Sequence, residues 1–195
     1  MIFTVIAAVW LIAAIAIGAS GALQALRPPI PQLIPAGLTI ALLAAWRLSY
    51  ALRAWSEAID LRALIALHVM RFVGGYFLLL CGRGELPCSF ALPAGWGDVA
   101  VAVTASVLLI SWKQLGSRSV LLAVWNSLGL LDILFVVVNA ARHGMADPGS
   151  MAAMLRLPLI LLPTFLVPLI IASHAVIFSR LRSRGRLAQA SVDVQ

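Results

Sequence analysis

Residues 63–80 read ALIALHVMRFVGGYFLLL, an apolar run interrupted by His68, Arg71 and the pair Gly74-Gly75. Its length is close to the roughly 20 residues a helix needs to cross the hydrocarbon core of a bilayer. Its apolar positions do not alternate with period two, as the strands of a membrane barrel would. Runs of the same kind recur on both sides, at about 2–21, 36–52, 99–112, 120–141 and 157–178. The expected fold class is therefore all-α, a polytopic transmembrane helix bundle of about six spans. Residues 1–179 form one bundle domain, and 180–195 read as a basic, disordered tail.

Composition forces the same conclusion. Hydrophobic residues make up 63% of the 195 and charged residues 11%, against roughly a quarter charged in soluble domains. Such a chain cannot cover a water-facing surface, and in lipid only helices or closed barrels satisfy the backbone. Lipid bilayer is thus the expected solvent and partner, alongside a membrane-protein partner or a second copy of the chain. The net charge of +7 does not point to nucleic acid, because the basic residues sit at span ends and in the tail.

That distribution gives an orientation. Six spans put both termini on one side, and Arg180, Arg182, Arg184 and Arg186 make it the cytoplasmic side. Arg47, Arg53, Arg62, Lys113 and Arg118 then join the tail inside, nine basic residues against Arg27, Arg83, Arg142 and Arg156 outside. The expected location is a bacterial inner membrane. The first run is either a retained span or a signal peptide ending at Ser20-Gly21-Ala22. It lacks a basic n-region, which favours retention. Four prolines between 26 and 35 keep that connector from being helical throughout, residues 53–62 read as an amphipathic connector, and Pro163 and Pro168 are expected to kink the last span.

Ionisable residues inside spans are costly and therefore informative. His68, Arg71 and Gly75 share one face of the third span, and Trp125, Asp132 and Asn139 share one face of the fifth. Facing inward, these stripes bring Arg71 to Asp132 or Asn126, either as a pair fixing helix register or as a site for an anionic group or a proton. His68 and His174 fall at similar depths on different spans. That is the arrangement a b-type haem or a transition metal held by two imidazoles requires; it also suits a proton relay or two hydrogen-bonded core histidines. His143 is expected in a solvated outer loop.

Residues 81–98, CGRGELPCSFALPAGWGD, read as an outer loop rich in glycine and proline. Cys81 and Cys88 are placed either to close it with a disulfide or to stand as two boundary thiols. Asp98 is expected either to cap the fourth helix or to bind on the outer side beside Trp96. The set His68-x-x-Arg71, Leu86-Pro87, the 90–98 segment and Trp125-Asn126 resembles a pattern in small uncharacterised bacterial inner-membrane proteins. The resemblance implies no activity and no site roles. Phosphate loops, dinucleotide fingerprints, zinc-protease pairs and nucleophile elbows are absent from the sequence. Three functions stay open: a ligand- or haem-binding membrane protein using His68 and His174, a small proton-coupled permease using Arg71 and Asp132, and an accessory subunit of a membrane complex.

Overall fold

The computed structural model describes residues 2–192, and side chains as far as position 183. Among the described residues the secondary structure is helical, without strands, and six helical stretches are long and apolar enough to cross a membrane. In order they are α1 (Ile2–Ser20), α2 (Ile30–Leu48), a third span broken into α4 (Leu61–Leu67), a 3-10 stretch (His68–Val73) and α5 (Gly74–Gly82), then α6 (Cys88–Ile110), α8 (Ser119–Ala146) and a sixth span ending in α9 (Val167–Val192). Two short helices, α3 (Tyr50–Ala58) and α7 (Trp112–Leu115), connect them.

Several boundaries differ from the sequence expectation, each for a local reason. Helix α2 starts at Ile30, because Pro31 occupies an opening position where its missing N–H costs nothing. It stops at Ser49, whose side chain accepts from Leu52 N at 3.2 Å and starts the amphipathic α3. Asp60 caps α4 by accepting from Arg62 N at 2.9 Å. Side-chain hydrogen bonds from Arg62 hold the Asp60 carboxyl below the usual carboxylate range.

The largest correction concerns residues 88–98. Rather than a loop, they form the opening turns of α6, which begins directly after Pro87 and carries Pro93 within it. The true connector is the short turn 83–87. Likewise α8 runs to Ala146, so His143 lies in its last turn and not in a loop. Pro163 sits in a π-helical turn, Leu162–Leu166, that precedes α9. Backbone helix continues to Val192, into the segment expected to be disordered. Positions 193–195, and side chains from 184 onward, lie outside the described residues.

Helices α5 and α6 pack backbone to backbone. A Cβ at Gly74 would stand 2.5 Å from Gly95 O, and one at Gly95 would stand 2.7 Å from Gly74 O. Small residues permit this approach, and in lipid such close packing is a main source of helix association. The apolar core forms two clusters. One holds Phe77, Leu80, Phe90, Val136 and Ile170; the other holds Ile65, Ala105, Leu122, Trp125 and Ile177. Between them on the same helices lie the buried polar residues His68, Arg71, Asp98, Asn126, Ser173 and His174. Helix α1 packs on the bundle along one side, through Trp10 and Gly18, and leaves Ile2, Val5, Ile6, Val9 and Ile12 exposed.

Candidate functional site

The polar layer begins with the third span. In a 3-10 helix, residues three apart eclipse one another, so the stretch His68–Val73 puts His68 and Arg71 on one line. Arg71 is 1% exposed and donates in three directions. Its Nε donates to Asp98 Oδ1 at 2.6 Å, Nη1 donates to Gly129 O at 3.0 Å, and Nη2 pairs with Asp132 Oδ2. Asp98 is therefore neither a helix cap nor an outer-side residue. It lies ten residues into α6, buried against Arg71. Trp96, two residues away, is 63% exposed and faces away from the bundle, so the expected Asp98–Trp96 site does not form.

Room for the second carboxylate comes from a missing side chain, since a Cβ at Gly97 would collide with Asp132 Oδ1. The Asp132 side chain is 19% exposed, against 1% for Arg71 and 5% for Asp98. Asn126 does not reach Arg71. Its Nδ2 donates to His174 O at 3.1 Å, and its Oδ1 lies 2.8 Å from His174 Nδ1.

His68 and His174 come together as the depth argument expects, both at 0% exposure. Their ring centroids are 4.4 Å apart, and Trp125 stands edge-on to His68 at 5.1 Å. This spacing rules out the haem arrangement. With metal–nitrogen bonds of about 2 Å, two axial imidazoles on one iron have centroids about 6 Å apart, with a porphyrin between them. The packed rings leave no place for that plate, so the residues do not fit a b-type haem. Nor, among the described residues, do three metal-ligating side chains converge anywhere.

The remaining candidates fall elsewhere. Cys81 and Cys88 are joined by a disulfide that ties the end of α5 to the start of α6. His143 bridges Ser89 Oγ at 2.9 Å and Asn139 O at 3.0 Å. Asn139 is buried with its Nδ2 unpartnered. The sequence reading missed Ser173, whose hydroxyl sits 3.1 Å from His68 Nε2. Its position immediately before His174 was the available signal. Gly97 carried no signal, since its role is to be absent volume, and Gly129 acts on Arg71 through a backbone carbonyl that every residue has.

Above the polar layer lies a cavity of about 410 Å³. It runs from the bundle end holding Gln24, Leu26 and Pro148 down to Arg71 and Asp98, between walls that include Phe77, Ile133, Val137 and Ile170. That volume lies within the range of small-molecule sites. The guanidinium has five N–H donors, and the three bonds above leave two of them unused. Residues 28–182 match the family model described as Domain of unknown function (DUF8737). No curated protein and no solved structure matches the chain.

Proposed function

The chain belongs to that family, and from this premise we propose that it is a bacterial inner-membrane protein, both termini cytoplasmic, that binds a small neutral molecule within the bilayer. The ligand has an apolar body and a hydroxyl or carbonyl end. The observation that carries this reading is the cavity, apolar along its walls and closed at depth by Arg71 and Asp98. Apolar walls suit the body of such a molecule, and a few converging polar groups orient its end. Arg71 is already paired with Asp98 and Asp132, so the floor has no surplus positive charge for an anionic head and favours a neutral group accepting from the free guanidinium N–H.

The test is a chemical inventory of the protein purified in lipid nanodiscs. Solvent extraction and mass spectrometry should find a neutral apolar compound enriched over an unrelated membrane protein. In Ala140→Trp, which fills the cavity from the α8 wall, that compound should fall by about tenfold or more, the equivalent of roughly 1.4 kcal/mol. Equal content in the folded variant, or no enrichment in the wild type, overturns the reading.

A further inference from the structure

A groove of about 910 Å³ opens at the other end of the bundle, between the end of α2, the middle of α8 and α9, and shares no lining residue with the cavity. Its walls are apolar, with Leu43 on α2, Leu130 and Leu134 on α8, and Ile171 and Phe178 on α9. Its mouth is basic. Arg47 stands in the last turn of α2, Arg182 lies one turn beyond Phe178 on α9, and both border the groove. Both are exposed, and neither makes a hydrogen bond or ion pair among the described residues. No carboxylate is among the residues described as lining the groove.

Length and depth suit a lipid. From Arg182 to Ile171 the groove follows α9 for about 16 Å along the helix axis, close to one leaflet, half of the roughly 30 Å hydrocarbon core. Trp46 also lines it, and its Nε1 donates to Ser56 Oγ at 3.0 Å. A tryptophan near a helix end with its N–H on a polar partner suits the headgroup level. Leu134 is exposed on the rim, so the groove faces the bilayer. Two arginines without a carboxylate call for an anion, and guanidinium groups match phosphate oxygens in geometry. The apolar walls call for a chain. We propose that the groove binds one anionic phospholipid, its phosphate between Arg47 and Arg182 and an acyl chain along Leu43, Leu130 and Ile171.

Charge separates this site from the cavity. Arg71 is buried and already paired with two carboxylates, whereas Arg47 and Arg182 bring two positive charges to a mouth that holds no negative one. Basic pockets between transmembrane helices recognise anionic headgroups in this way. A zwitterionic lipid carries its own ammonium to the same place and loses the advantage. Ser179, three residues before Arg182, also lines the groove and adds a hydroxyl. A lipid seated there bridges α2, which buries only Pro31, Pro35 and Thr39, to α8 and α9. The proposal goes beyond ligand binding and does not depend on what fills the cavity or on which way the protein faces.

The probe is phosphatidylglycerol with brominated acyl chains, added at low mole fraction to phosphatidylcholine nanodiscs that hold the full chain. Trp46 lines the groove, so a bound brominated chain should quench its fluorescence. The part of the quenching lost in Trp46→Phe isolates that ring from the others. Brominated phosphatidylglycerol should quench this part at a lower mole fraction than brominated phosphatidylcholine. Arg47→Gln and Arg182→Gln should each raise the half-quenching mole fraction about fivefold, the equivalent of about 1 kcal/mol per arginine near a membrane surface. Arg118→Gln, at an exposed position outside the groove, should leave it unchanged. Equal quenching by the two lipids in the wild type overturns the proposal without any variant. A loss in Arg118→Gln as large as that in Arg47→Gln also overturns it, because the attraction would then be general surface charge. So does displacement of the brominated lipid by inorganic phosphate at constant ionic strength, which would make the pair a site for the free anion.

Discussion

Arg71 is held from three sides by Asp98, Gly129 and Asp132, and this asymmetry sets what its loss should do. Arg71→Ala strands two carboxylates in the core, and breaking a buried pair this way costs about 3–5 kcal/mol. Asp132→Asn removes only a surplus charge from a partly exposed position and should cost under about 1 kcal/mol. Reversible unfolding of both variants in detergent measures the difference, and similar losses would mean that the charges are not organised around Arg71. Part of this layer was legible in the sequence. Arg71 with Asp132, and His68 with His174, follow from face and depth. Asp98 was not, because glycines and Pro93 imitate a loop. The spacing of Ala91, Ala94, Gly95 and Asp98 at three and four residues was the helical signal hidden among them.

At the scale of helices, the 3-10 stretch His68–Val73 accounts for a mismatch that simple helix geometry leaves open. With α-helical rise throughout, Arg71 falls short of Asp132 by about 6 Å. Starting the span at Leu61, and rising about 2 Å per residue through the 3-10 turns, removes most of that gap. An arginine side chain spans the rest. The glycine pair that follows divides cleanly. Position 74 lies against the α6 backbone, while a Cβ at 75 meets nothing within 4 Å. Gly74→Ala should therefore cost about 1–3 kcal/mol by forcing the helices apart. Gly75→Ala should be neutral or stabilising by up to about 1 kcal/mol through helix propensity. Melting of the two variants side by side checks this, and equal effects would contradict the packing described. A sequence shows that two glycines are adjacent but not which one touches a neighbour, so this distinction could only come from the fold.

At the scale of the whole molecule, the number of spans and their approximate places were readable, because continuous apolar runs leave lipid as the only solvent. Their ends were not, because prolines at Pro31, Pro35 and Pro93 sit inside or at the start of helices rather than between them. The orientation rests on the basic residues alone, and it predicts a definite outcome. Alkaline phosphatase fused after Gly84 should be active, and fused after Ser117 inactive; the reverse pattern would turn the protein over. The fold also constrains how the cavity exchanges its contents. The third span and α6 are fastened at one end by the Cys81–Cys88 bond and at mid-depth by Arg71 and Asp98, so this hairpin is tied together at two depths. Helix α2 also borders the cavity, yet it buries only Pro31, Pro35 and Thr39. Among the spanning helices that border the cavity it is the most weakly seated, so an outward swing of α2 is the expected route between the cavity and the bilayer.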